Sequence, residues 1–216
     1  MARPIAERYK RDDSEFDRAI AFIDATFAVA LTLLVTTLDF GSDPATWDTF
    51  EHFYDAVGSQ IVAFGISFLV IASYWLAHYQ LFANFTSIDV KVIVANLALL
   101  AAIVLLPFTS ETAGDPAIDH LAIPTLLLAL DVAAVSATFT LVYVLARKHG
   151  ILRKKPTETV YRFTVLTMLA PAIVFALSIP IAVFGDPGDA RLFWIVLLVV
   201  NPLVGIAANR AEKPRA

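Results

Sequence analysis

The sequence has no cysteine in its 216 residues. Disulfides, thiol nucleophiles and thiolate metal sites are therefore excluded. Charge is also scarce. Asp, Glu, Lys and Arg together make up 17% of the chain, against ~25% in soluble domains. The net charge is only -4, which implies no nucleic acid or other strongly charged partner. There is no Gly-rich nucleotide loop, no nucleophile beside a general base, and no pair of histidines at metal-ligand spacing. These gaps argue against an enzyme and imply neither a cofactor nor a resident metal. Apolar residues are abundant, at 58% of the chain with a mean hydropathy of +0.72. A soluble domain of this size needs more polar surface than that. The composition predicts an all-α polytopic membrane protein.

Six apolar runs approach the ~20 residues needed to cross ~30 Å of hydrocarbon. They lie at about 19–38, 57–82, 90–108, 121–146, 159–184 and 192–208, in one transmembrane domain over residues 1–216. The run at 41–55 reads as a connection, with room for a short interfacial helix anchored by Trp47, Phe50, Phe53 and Tyr54. Ser14 and Asp17 fit a helix-start pattern leading into the first span. Pro171, Pro180 and Pro202 are expected to kink the last two spans.

Lys and Arg set the orientation. Six spans place the N-terminal segment, the second and fourth connections and the C-terminal segment on one side. All of the 16 basic residues fall there except Arg191. The expectation is a multi-pass plasma-membrane protein with both termini cytoplasmic. The opposite side carries Asp43, Asp48, Glu51, Asp55, Glu111, Asp115, Asp119, Asp186 and Asp189. These acids suit either an outer vestibule that enriches cations or simple hydration of exposed loops.

Ionisable and amide groups within spans are costly, and each raises a functional question. Asp24, His78 and Asn96 lie at similar distances from the expected cytoplasmic boundary, about 9 Å inside it at 1.5 Å per residue. This shared depth points to one interhelical cluster. Trp75 shares the His78 face and offers a spare N–H. Arg18 and Asp24 are too far apart around their helix to pair with each other. The cluster reads as structural glue between helices or as an ion-handling site. Asp131, in the fourth span, is isolated and carries no assigned chemistry.

In the first span, Ala25, Val29, Thr32 and Thr36 follow i, i+4, i+7, i+11. They form a narrow stripe of small, β-branched and hydroxyl side chains. Such a stripe suits close helix packing. It also suits a conduit in which valine forms an apolar constriction and threonines supply oxygens to a passing cation.

The segment Arg18–Asp24, with Phe22 inside it, resembles the R-x-x-x-F-S-D signature opening the first helix of the transmembrane protein 175 family of potassium channels. Trp75, His78 and Phe82 are similar to that family's Trp-x-x-His-x-x-x-Phe pattern, and Asn96 with Leu106-Pro107-Phe108 matches its third helix. The resemblance covers about the first half of the chain. It implies a homotetramer of six-helix subunits in a lipid bilayer, conducting potassium and other monovalent cations. It also implies a pore lined by the first helix, with Val29 at the constriction and Thr32 nearby. By the same resemblance, Arg18 and Asp24 would bond Trp75, His78 and Asn96. Two departures stand out: Ile23 replaces the motif serine, and Val29 is smaller than the usual constriction residue. The functional expectation is a passive, potassium-permeable channel with a hydrophobic gate. The competing classes are a proton-coupled secondary transporter, which predicts a midplane site and usually a repeat, and a non-conducting membrane scaffold.

Overall fold

Without water to satisfy backbone groups, an apolar run must close its hydrogen bonds internally, and helices do so. The computed structural model describes residues 8–40, 43–115 and 117–197. In chain order these form β1 (Arg8–Lys10), α1 (Ser14–Leu33), α2 (Phe50–Ala83), β2 (Ser87–Asp89), α3 (Val90–Gly114), α4 (Ala122–Lys148), α5 (Glu158–Phe184) and the short α6 (Pro187–Phe193). Turns of 3-10 helix follow α1 at Leu34–Thr37 and precede α2 at Pro44–Trp47. Among the described residues, five helical segments are long and apolar enough to cross a membrane. The sixth expected span, at about 192–208, falls mostly outside the described residues, as do Pro202, Arg210, Lys213 and Arg215.

Two element boundaries and one helix cap differ from expectation. Helix α2 begins at Phe50, well before the expected 57, because Thr49 caps it by accepting the His52 N–H at 3.1 Å and Glu51 opposes the positive end of the dipole. Its 34 residues make it about 51 Å long at 1.5 Å per residue, longer than the ~30 Å of hydrocarbon in a bilayer. Helix α3 runs through Pro107 to Gly114 instead of ending near Phe108. Glu111 therefore belongs to a helix and not to a connection. Helix α1 starts at Ser14 with Asp13 as its capping position, yet no side chain caps it. The Ser14 hydroxyl donates to Glu15, and the Asp13 carboxylate accepts the Lys10 N–H. Helix α5 continues through Pro171 and Pro180.

Helices α3, α4 and α5 form the packed centre, with α1 and α2 laid against α3. In the apolar window of α3, 56% of residues are buried, against 22% in α1. The core runs through Phe27, Ile71, Leu99, Ile103, Leu106, Val135 and Val142. Most of α1 is thus left uncovered by its own chain.

One end of the bundle is tied by a polar assembly that hydropathy does not announce. Strands β1 and β2 pair antiparallel, Arg8 opposite Asp89 and Lys10 opposite Ser87. The Arg11 guanidinium donates to the Phe82, Ala83 and Phe85 carbonyls, the last at 2.9 Å. It thereby satisfies acceptors left over at the C-terminal end of α2. The α4–α5 connection joins through Thr86 N–H to the Ile151 carbonyl at 2.9 Å and Arg153 N–H to the Asn84 carbonyl at 2.7 Å. The N-terminal segment and the second and fourth connections therefore lie at the same end, as the distribution of basic residues requires. At the other end, the Arg191 guanidinium donates to the Ala113 and Asp119 carbonyls, holding α6 against the α3–α4 connection.

Candidate pore helix and polar pairs

The exposed face of α1 follows from its sequence period. At about 100° per residue, the buried Phe16, Ile23, Phe27 and Ala30 fall in one ~60° arc. Ala25, Val29 and Thr32 fall on the opposite side, and all three are exposed, Val29 at 51%. Thr36, in the 3-10 turn beyond the helix, is exposed as well. The whole stripe therefore faces away from the rest of its own chain. Arg18 and Phe22 lie on the same exposed side.

The threonines carry a further detail. Thr32 donates its hydroxyl to the Val29 carbonyl at 2.8 Å, and Thr36 to the Leu33 carbonyl at 2.7 Å. A hydroxyl has one proton to give and two lone pairs. With the proton committed to the backbone, each oxygen is left as an acceptor on an exposed face. Both bonds reach back three residues, matching the tighter winding that begins at Leu34.

The expected single polar cluster resolves into two pairs. The Trp75 indole N–H donates to the Asp24 carboxylate at 3.0 Å, tying α2 to α1. His78 Nε2 meets Asn96 Oδ1 at 2.9 Å, tying α2 to α3. The Asn96 amide nitrogen donates to the Val92 carbonyl at 3.0 Å, which fixes Oδ1 toward the histidine. His78 Nε2 must therefore carry the proton it donates. Both His78 and Asn96 are 2% exposed. The imidazole stacks on Phe82 with ring centroids 4.1 Å apart and sits beside Phe27 and Phe139.

Arg18 does not join these pairs. It forms no hydrogen bond or ion pair with another described residue, and it lines a groove of about 350 Å³ between α1 and α3 with Ala19, Phe22, Asn96 and Leu97. Ile23, in the position of the motif serine, is 4% exposed and packs in the core. Replacing a hydroxyl there by an apolar side chain adds to the core instead of the polar pairs.

Two polar contacts escaped sequence reasoning. Asp131 is buried and accepts the Thr109 hydroxyl at 2.8 Å, between α4 and α3. Thr109 lies one residue past the expected end of its span, so it was not weighed as an intramembrane partner. Asp89 caps α3 by accepting the Val92 N–H at 3.0 Å and also bonds the His149 imidazole. Burial pushes the Asp89 carboxyl up, but the Val92 N–H, His149 and Arg8 outweigh it and hold the group below its ordinary value. An Asp immediately before an apolar run is a readable capping signal; its pairing with a residue sixty positions away is not. Among the described residues, no group of three His, Asp or Glu is placed to hold a metal ion.

The chain is similar to known potassium channels. Residues 18–107 match the family described as endosomal/lysosomal potassium channel TMEM175. A potassium channel of Streptomyces collinus is 31% identical over 105 residues, 47% of this chain and 49% of the relative. The match thus spans about half the length of that curated relative. The crystal structure of a variant of the potassium channel MtTMEM175, in complex with a nanobody–MBP fusion protein, superposes with a TM-score of 0.62 at 20% identity. That superposition covers 98% of this chain and 97% of the other. The first half of this chain is thus similar in sequence to the transmembrane protein 175 family, and the whole chain shares the fold of a solved potassium channel.

Proposed function

We propose that the chain is the subunit of a potassium-permeable cation channel, a homotetramer whose central pore is lined by α1. The observation that carries this reading is the orientation of the α1 stripe. Ala25, Val29, Thr32 and Thr36 are exposed opposite the buried face, on the least covered of the long helices. Placed around a fourfold axis, that face forms a narrow conduit. Val29 side chains make an apolar ring that interrupts the water column when the pore is closed. Thr32 and Thr36 oxygens, their protons committed to the backbone, replace part of a cation's hydration shell. Passage is passive, and no group need bind the ion tightly.

In this reading the polar pairs are structural. Trp75–Asp24 and His78–Asn96 hold α1 and α3 against α2, where hydrophobic driving force between helices is absent. The transporter alternative lacks support: His78 Nε2 is spent on Asn96, and the Asn96 amide nitrogen on the backbone.

The absence of native cysteine makes the test direct. Val29→Cys, Thr32→Cys and Leu31→Cys are reconstituted in planar bilayers and exposed to a water-soluble methanethiosulfonate cation. Current through the first two falls on modification, and current through Leu31→Cys, off the stripe, does not. Modification without loss of current at Val29 and Thr32, with loss at position 31, contradicts the assignment of the pore face.

A further inference from the structure

We propose that the α4–α5 connection is a binding site for anionic phospholipid. Arg153, Lys154 and Lys155 take the headgroup phosphate, and the outer face of α5 beside them takes the start of an acyl chain. Between residues 147 and 162 the chain carries Arg147, Lys148, Arg153, Lys154, Lys155 and Arg162 against a single acid, Glu158. That acid is already committed, to Arg147 at 2.7 Å and Arg162 at 2.9 Å. Arg147 is further engaged over the Tyr161 ring at 3.6 Å. Arg153, Lys154 and Lys155 are exposed and form no ion pair with a described residue.

Excess positive charge beside a membrane is common, but here it is held in place. The Ile151 carbonyl accepts both the N–H and the hydroxyl of Thr86, at 2.9 and 2.8 Å. Arg153 N–H donates to the Asn84 carbonyl, and Lys154 N–H to the Asn84 side chain at 3.3 Å. Gly150, at φ +66°, makes the turn that a side chain would strain. Arg153 and Lys154 therefore stand on anchored backbone, with Lys155 next in the chain, which lowers the ordering cost of binding. Arginine offers a phosphate a bidentate fork and lysine a point charge.

Adjacent to this run, Thr159, Arg162, Phe163 and Leu166 line a groove of about 280 Å³. They follow i, i+3, i+4, i+7 and so form one face of α5. The groove begins in the first turns of the helix, where the apolar span starts, which is the level of the glycerol backbone and upper acyl chain. Its upper part is polar and cationic, and its lower part is aromatic and aliphatic, Leu166 being 47% exposed. That order suits a phospholipid. Free phosphate would meet the same cations and gain nothing from Phe163 and Leu166. Binding itself does not depend on conduction; only the assignment to the cytoplasmic leaflet follows the orientation expected from the basic residues.

The test is native mass spectrometry of the full chain in mild detergent, titrated with phosphatidylglycerol or phosphatidylcholine. The wild type retains phosphatidylglycerol in preference. Each basic residue near an anionic surface contributes about a fivefold factor, so Arg153→Gln/Lys154→Gln/Lys155→Gln weakens retention roughly a hundredfold and leaves phosphatidylcholine unchanged. Phe163→Ala keeps every charge and weakens phosphatidylglycerol severalfold, so it tests the groove even if the triple variant fails to fold. Millimolar inorganic phosphate does not displace the lipid. Equal retention by wild type and a folded triple variant overturns the proposal, as does no effect of Phe163→Ala or full displacement by phosphate.

Discussion

Removing the Asn96 side-chain oxygen should expose how α2 is held to α3. In Asn96→Leu, His78 keeps its Nε2–H, 2% exposed, and loses the acceptor at 2.9 Å. A buried donor left unpaired costs about 1–3 kcal/mol. In His78→Phe the ring still packs on Phe82, 4.1 Å away in the wild type, but Asn96 Oδ1 is left without its partner, at a cost on the same scale, about 1–3 kcal/mol. The double variant leaves neither group unpaired, and an apolar pair of similar size is close to neutral. The sum of the two single losses should therefore exceed the loss in the double variant by about 2 kcal/mol, the lower end of that sum, because couplings between membrane helices run small, about 0.6 kcal/mol on average and about 1.7 at most. Reversible unfolding in mixed micelles, followed by circular dichroism, gives the four free energies. Additivity within about 0.3–0.5 kcal/mol would refute the reasoning, since it would mean that the two groups do not hold each other.

Three further outcomes follow from the same structure. Val29→Ala shrinks the apolar ring and should raise basal current in planar bilayers, with unchanged current contradicting the constriction. Thr109→Val removes the hydroxyl that Asp131 accepts at 2.8 Å and should cost about 1–3 kcal/mol of unfolding free energy; a neutral Thr109→Val, with Asp131→Leu equally neutral, would show that the contact carries no weight. For Asp89 the folded state holds the carboxyl below its ordinary value of 3.8. Its contribution is therefore fully present above that value and is lost as pH falls through the still lower folded value. Asp89→Asn should be less stable than wild type at neutral pH, and the gap should close in acid below the ordinary carboxylate range. A gap that persists or widens in acid would contradict the sign.

Much of the fold was legible because lipid simplifies the code. Runs of apolar residues read as helices, and the basic residues gave the sidedness that β1, the α2–α3 connection and the α4–α5 connection share by contact. What periodicity could not supply was set by local polar chemistry. The Thr49 cap starts α2 early, and α3 runs on past the proline at which it was expected to stop. For the site, the stripe on α1 was readable from spacing alone, since a period near 3.6 residues fixes which side chains share a face. The depth argument gathered the right groups on α1, α2 and α3 but could not pair them. Height along a helix says nothing of azimuth, so one expected cluster became Trp75–Asp24 and His78–Asn96. Arg18, assigned to that cluster by family resemblance, lies on the exposed face with the stripe. Thr109 and His149 were illegible because their partners, Asp131 and Asp89, come from remote sequence.

The central claim is passive cation conduction, with preference for potassium, along the exposed face of α1. Its most direct test is the reversal potential of the purified chain in planar bilayers under opposed potassium and sodium gradients. The account predicts stepwise single-channel currents reversing toward the potassium equilibrium potential, with no requirement for a coupled substrate or proton gradient. Electrical silence at verified reconstitution density, or flux strictly coupled to a second solute, would contradict it.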